Sequence, residues 1–208
     1  MFNLQFCISN YCYPWKWPSR QQMRQICEDR RIRIAIGAHP RFASKFQERE
    51  HLDRMERYLQ EPGVVALGEV GVDYSGSVSN VDRKCQEQVL HHVLPLASRL
   101  RLPVIVHCRG GEEATEDCLR ILRRHLSSKH PIHCHCFSGT SKEMRKWLSV
   151  FSEVVFGITG LLLQRDQREL AKAVREMPLQ KIIVETDSPF LRPPVFHGRA
   201  TSCMGDNC

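Results

Sequence analysis

The sequence predicts an α/β fold in which parallel strands alternate with helices and curve into a barrel. Short apolar runs that end in a potential ligand or a glycine recur roughly every 30 residues, the length of one strand–helix unit. These runs end at His39, Glu69, His107, His135, Gly157 and Asp187. A weaker run near Leu4 makes seven, so we expect an incomplete barrel of about seven strands rather than the usual eight. An open doubly wound sheet is the alternative, although it gathers ligands from so many strands less readily.

Hydrophobic periodicity and turn residues locate the individual elements. Strands are predicted at residues 4–9, 31–38, 64–69, 104–107, 132–135, 154–158 and 182–187. Helices are predicted at residues 19–30, 48–60, 81–100, 113–126 and 167–176, with one more beginning at residue 140. Thr140 and Glu143 have the spacing of a capping box, and Pro95 predicts a kink in its helix.

Length and composition indicate one globular domain. The chain has 208 residues, of which 42% are apolar and 25% charged, as in ordinary globular proteins. We expect a barrel domain over residues 1–195, truncated at its N-terminus, and an irregular tail over residues 196–208. No uninterrupted apolar run is long enough for a membrane span.

Charge and cysteine content bear on partners and location. The formal net charge of +7 favours a polyanionic partner, nucleic acid above all, although many basic chains bind nothing in particular. Ten cysteines without a secretory signal favour reduced thiols and an intracellular location, cytoplasmic or nuclear. His133-Cys134-His135-Cys136 does not read as one zinc site, because alternate side chains of a strand point to opposite faces.

Four side chains of metal-ligand type end four of the predicted strands: Glu69, His107, His135 and Asp187. The carboxyl ends of barrel strands meet at one face, so we expect these groups to converge on a divalent metal ion. Two histidines and two carboxylates suit zinc, manganese or magnesium. Taken alone, His107 reads as a satisfied core histidine and Glu69 as a salt-bridged carboxylate, and the convergence of all four favours the metal.

Five motifs resemble those of the TatD-type metal-dependent deoxyribonucleases, a branch of the amidohydrolase-like barrels. They are Gly37-Ala38-His39-Pro40, Gly68-Glu69-Val70-Gly71-Val72-Asp73-Tyr74, Pro103-Val104-Ile105-Val106-His107-Cys108-Arg109, His135-Cys136-Phe137-Ser138-Gly139 and Glu185-Thr186-Asp187-Ser188-Pro189. Each motif alone is weak, but together, in the order and spacing of the family, they are highly specific.

The resemblance implies a TIM-like barrel of the amidohydrolase type that hydrolyses phosphodiesters in DNA with two divalent metal ions, magnesium, manganese or zinc. Glu69 would bridge the ions, and His107 and His135 would bind one of them. Asp187 would bind the other and orient the attacking water. His39 and Arg109 would contact the substrate phosphate. The resemblance gives Asp73 and Tyr74 no firm role and leaves Cys108 and Cys136 as packing residues.

The sequence also departs from the family pattern, which begins with a strand carrying Asp-x-His-x-His and ends with a helix. Neither is found here, so the resemblance implies one complete metal site and a second reduced to Glu69 and Asp187. We therefore expect either a DNA-cleaving hydrolase or an impaired barrel that binds metal or nucleic acid without turnover. A related hydrolase of small amides or esters is the third reading. The oligomeric state stays open.

Overall fold

A computed structural model of the chain describes residues 5–188, which form one sheet of seven parallel strands flanked by helices. The strands pair in the order of the sequence: β1 (Cys7–Tyr11), β2 (Ile32–Ile36), β3 (Val64–Asp73), β4 (Val104–Arg109), β5 (Ile132–His135), β6 (Val154–Ile158) and β7 (Ile182–Val184). The helices are α1 (Arg20–Ile26), α2 (Glu48–Leu59), α3 (Asn80–Leu100), α4 (Gly111–His125), α5 (Ser141–Val150) and α6 (Arg168–Glu176). Consecutive pairing with a helix between strands is a barrel topology, so the predicted fold class is confirmed and the doubly wound alternative is wrong.

The helices cover one face of the sheet and form the main hydrophobic core with it. Its largest fully buried side chains include Trp147 on α5 and Phe156 on β6. The other face of the sheet holds a small cluster of Ala35, Ala66 and Ile105. Small side chains leave the inside of the curved sheet free for the polar groups that lie nearer the carboxyl ends of the strands.

Helix ends follow the predicted capping chemistry. Thr140 and Glu143 form the expected capping box at the start of α5, and Ser19 forms one with Gln22 at α1. The helix α3 continues through Pro95. No helix within residues 5–188 combines the length and apolar character needed to cross a bilayer.

The strand β3 is longer than predicted, and the prediction that it ends at Glu69 is wrong. It continues to Asp73, and its pairing with β4 shifts by one residue between Gly68 and Val70. Glu69 is therefore the extra residue of a β-bulge, which leaves it outside the regular ladder. An apolar run shows where a strand is buried, whereas the backbone pairing with β4 decides how far it extends.

The last described strand is shorter than predicted. β7 ends at Val184, so Asp187 lies in the segment that follows it. Three further expectations lie outside the described residues: the tail at 196–208, the end of the barrel domain at 195, and the absence of a terminal helix.

Candidate metal centre

Glu69 lies between two histidines on neighbouring strands. Its Oε2 is 3.7 Å from Nδ1 of His107, and its Oε1 is 3.6 Å from Nε2 of His135. The same Nε2 of His135 lies 3.4 Å from Oδ1 of Asp187. The structure therefore brings together all four side chains that the sequence analysis singled out: Glu69 from the bulge inside β3, His107 and His135 from β4 and β5, and Asp187 from the segment after β7.

Burial of the central groups makes their charges strongly interdependent. Glu69, His107 and His135 are each buried, and Asp187 is partly exposed. Burial alone lowers the pKa of His135, but hydrogen bonds to Asp187 and Glu185 outweigh it and raise the pKa to about 11. Burial raises the pKa of Glu69, but the interaction with His107 and the charge of His135 lower it overall. The surrounding carboxylates thus favour the positively charged form of His135.

Asp73 orients His107. Its Oδ2 accepts a hydrogen bond from Nε2 of His107 at 3.1 Å. Burial raises the pKa of Asp73, but hydrogen bonds from His107 and Ser75 outweigh this and hold the pKa well below its usual range. Because the Nε2–H group donates to the ionised Asp73, Nδ1 is the ring nitrogen that faces Glu69 and that would bind a divalent ion in place of its proton.

Glu185 orients His135 in the same manner, but through the other ring nitrogen, Nδ1. Its Oε2 accepts a hydrogen bond from Nδ1 of His135 at 2.8 Å, so Nε2 is the ring nitrogen that faces Glu69 and Asp187 and that would bind a divalent ion in place of its proton. The pKa of Glu185, which burial raises, is lowered to about 2 by hydrogen bonds from His133 and His135. Gly157 makes room for this carboxylate, since a Cβ at that position would overlap it.

These two orienting carboxylates were missed by the sequence analysis, which quoted both in motifs and assigned neither a role. Signals for them exist in retrospect. Glu185 precedes Asp187 by two residues, which places both side chains on one side of an extended segment. Asp73 shares a face with Gly71 in β3, but only the bulge at Glu69 sets which face that is.

Replacing either orienting carboxylate tests this arrangement. We expect Asp73→Asn or Glu185→Gln to weaken divalent-metal binding by about 10–100-fold, because an amide can present its NH₂ group and favour the wrong imidazole tautomer. Calorimetric titration with manganese measures the change. Glu112→Gln is the matched control, because the partners of this exposed carboxylate among residues 5–188 are Lys142 and Lys146. Equal affinities for the three variants would contradict the orienting role.

His39 adjoins the centre as a neutral imidazole. Its ring lies 4.5 Å from that of His107 between centroids, and a donor atom of His39 lies within 4.8 Å of donors on Glu69 and His107. Burial, followed by the neighbouring His107, lowers its pKa to about 4. Its Nδ1 accepts the backbone N–H of Arg41 at 3.2 Å, so Nε2 carries the proton. With its proton on Nε2, His39 can donate a hydrogen bond, and its contact with phosphate stays a prediction.

Arg109 ends β4 beside the centre and is half-buried. Its Nη2 is 3.6 Å from Sγ of Cys136, and its positive charge helps to lower the pKa of Asp187, to which the hydrogen bond from His135 contributes most. A cavity of about 230 Å³ next to Arg109 reaches His135 and the glycines at the start of α4. Cys136 is buried as predicted, and it also contacts Arg109, the residue predicted to bind the substrate phosphate.

His133 and the cysteines behave as strand alternation predicts. His133 and His135 both contact Glu185, at 3.1 and 2.8 Å, whereas Cys134 lies in the core under the helices. Within the described part of the chain, His133, His135 and Glu185 form a second group whose donors lie within 4.8 Å of one another. Glu185 contacts one ring nitrogen of each histidine, so we assign this group to the orientation of His135.

The donor set fits a hard or borderline divalent cation. Four carboxylates, those of Glu69, Asp73, Glu185 and Asp187, surround the imidazoles of His107 and His135, with Arg41 and His133 at the outer side of Asp73 and Glu185. A divalent ion would balance the buried negative charge that the imidazoles do not. Imidazole with carboxylate is a combination used for zinc and, with fewer nitrogens, for manganese.

A parallel α/β barrel with imidazole and carboxylate donors gathered on one side is an architecture that metal-dependent hydrolases use. The sequence model of one family, described as TatD related DNase, matches residues 4–204. The chain belongs to this family.

Curated relatives carry nuclease or hydrolase names. The chain is 33% identical over 189 residues to a human protein named 3'-5' RNA nuclease TATDN2, covering 91% of this chain and 24% of the human one. It is 34% identical over 173 residues to a protein of Pantoea sp. (strain At-9b) named 3'-5' ssDNA/RNA exonuclease TatD, covering 83% and 64% of the two chains. Against YabD of Bacillus subtilis, named an uncharacterized metal-dependent hydrolase, identity is 33% and coverage 85% and 66%. The chain thus spans less than two thirds of these relatives.

Solved structures confirm the fold. The TatD homologue YJJV of Escherichia coli K12 superposes with a TM-score of 0.79 at 23% identity, over 95% of this chain and 73% of that one. The phosphotriesterase homology protein of Escherichia coli superposes with a TM-score of 0.60 at 12% identity, over 86% and 66% of the chains. Both support a TIM-like barrel.

Proposed function

We propose that this chain binds divalent metal through Glu69, His107, His135 and Asp187 and hydrolyses phosphodiester bonds in single-stranded nucleic acid, DNA in particular. The carrying observation is the position of Glu69, which lies 3.7 Å from Nδ1 of His107 and 3.6 Å from Nε2 of His135, the ring nitrogens that point away from the orienting carboxylates. Glu69 links the two imidazoles and His135 in turn contacts Asp187, so the four side chains form one continuous cluster of metal-ligand type.

The side chains around the ion would divide the work. A bound divalent ion would polarise the phosphoryl oxygen and make water a better nucleophile. Asp187, partly exposed and ionised, would orient the attacking water and take its proton. His39 would donate its Nε2 proton in a hydrogen bond to a phosphate oxygen, and Arg109 would hold the charge of the phosphate.

The substrate class rests on charge and on relatives. The formal net charge is +7, which favours a polyanion, and relatives are named for cleavage of RNA or of single-stranded DNA and RNA. We keep DNA as the expected substrate, with RNA as the other outcome. The number of ions, one or two, and an intracellular location, cytoplasmic or nuclear, are parts of the same proposal.

The test uses the purified chain with labelled single-stranded DNA and RNA of one sequence, in the presence of manganese or magnesium. We expect shortening of the DNA that requires the added metal and stops with EDTA. Metal or nucleic-acid binding without shortening would favour the non-catalytic barrel. Hydrolysis restricted to nitrophenyl esters or amides would favour the third reading, a hydrolase of small substrates.

A further inference from the structure

A group of aromatic rings lines the loops that follow β1 and β2, beside the candidate metal centre. Tyr13 and Trp15 belong to the first loop, and His39 and Phe42 to the second. Ring centroids are 5.2 Å apart for Tyr13 and Phe42, and 5.3 Å for Trp15 and Phe42. Tyr13 lies 6.1 Å from His39 with the two ring planes only 22° apart. We call these four rings the aromatic row.

The outer end of the row faces solvent. Trp15 is 48% exposed, whereas the other two tryptophans of the chain, Trp17 and Trp147, are 8% and 1% exposed. Tyr13 and Phe42 are half-buried. Leaving a large aromatic side chain in water brings no gain to folding, so Trp15 is poorly explained as a core residue.

The inner end of the row reaches the metal centre. The ring of His39 lies 4.5 Å from that of His107 between centroids, and His107 contacts Glu69. The row therefore leads from the proposed site of hydrolysis to the protein surface. A ligand whose reacting group lay at Glu69 would have its neighbouring units along these rings.

Positive charge accompanies the rings. Nζ of Lys45 lies 5.7 Å from the centroid of Trp15 and 5.6 Å from that of Phe42. Arg41, in the same loop, is more than half exposed while its Nε bonds Asp73. Aromatic faces alternating with cations match a polymer of flat bases joined by phosphates.

We propose that the aromatic row is a stacking platform for unpaired bases of a single-stranded nucleic acid, next to the phosphate being cleaved. The proposal rests on the proposed function and names the part of the substrate that the site recognises beyond the reacting phosphate. Trp15 and Phe42 carry stacked bases, and Lys45 neutralises the phosphate between them. Stacking needs an accessible base face, so duplexes bind less well than single strands.

Binding is measured without turnover, in EDTA, with a thymidine oligomer and an abasic oligomer of equal length and charge. We expect the thymidine oligomer to quench the fluorescence of Trp15 and to bind about 10-fold more tightly than the abasic one. Trp15→Leu should abolish the quenching and reduce the preference to the part that Phe42 provides, and Trp15→Phe should retain most of the preference. Leu179→Ala is the control, because Leu179 is an exposed apolar residue at the opposite end of the sheet.

Two results would overturn the platform: equal affinity of the wild-type chain for both oligomers, or an unchanged preference in Trp15→Leu. Lys45→Ala gives a second variant, expected to weaken both oligomers alike. Tighter binding of the thymidine oligomer than of the abasic one, without any cleavage in manganese, would contradict the hydrolase proposal and support the stacking platform. Cleavage of both oligomers at equal rates and with equal affinities would support the hydrolase proposal and contradict the stacking platform.

Discussion

Replacing Glu69 by glutamine is expected to remove divalent-metal binding and with it nucleic-acid cleavage. Glu69 contacts both His107 and His135. Its replacement by glutamine removes the negative charge between the two imidazoles and places an NH₂ group next to one imidazole nitrogen. The loss should exceed the about 10–100-fold expected for an outer carboxylate such as Asp73. Metal content after dialysis and the rate of DNA shortening measure the two effects.

The matched control for this variant is Glu116→Gln. Glu116 is an exposed carboxylate on α4 whose described partner is Lys146, so its replacement should leave metal content and cleavage unchanged. Full metal retention by Glu69→Gln would place the ion elsewhere. Cleavage that persists in this variant would show that the observed activity belongs to a different site or a contaminant.

Replacing Gly71 by alanine should destabilise the fold severely. Gly71 pairs with His107 across β3 and β4, its φ is +150°, and an added Cβ would overlap the main chain of His107. Neither strand can move aside without disturbing the sheet, so we expect the free energy of unfolding to fall by about 3–5 kcal/mol. Urea denaturation followed by circular dichroism measures it.

Gly76→Ala separates backbone strain from steric overlap. Gly76 also has a positive φ, +73°, but nothing lies within 4 Å of an added Cβ. Only the strained conformation remains there, so a loss of about 1–2 kcal/mol is expected. If Gly71→Ala were no more destabilising than Gly76→Ala, the close approach of β3 to β4 would not matter to stability.

Local signals in the sequence sufficed for the order and type of the elements. The apolar runs before His107 and His135 each form a buried strand, and Thr140 with Glu143 begins α5 as a capping box. These features depend on residues a few positions apart, which is why periodicity and capping rules predict them. The convergence of the four predicted ligands followed from one topological rule about strand ends.

Features set by pairing between strands could not be predicted in this way. The extension of β3 to Asp73 depends on its register with β4, and the early end of β7 depends on its three pairs with β6. The roles of Asp73 and Glu185 follow from contacts with His107 and His135, 34 and 50 residues away. A sequence offers no distance between such residues until the fold brings them together.

The bulge in β3 has a consequence for insertions and deletions. Leu67, Val70 and Val72 all pack against the helices. Side chains on one face of a regular strand are two residues apart, whereas Leu67 and Val70 are three apart because Glu69 is the extra residue of the bulge. Deletion of Gly68 would restore the regular pairing of β3 with β4, but it would move Glu69 away from its position opposite the two imidazoles. A codon lost at this point should therefore abolish the chemistry even where the barrel survives, whereas the exposed loop around Gly76 can vary in length.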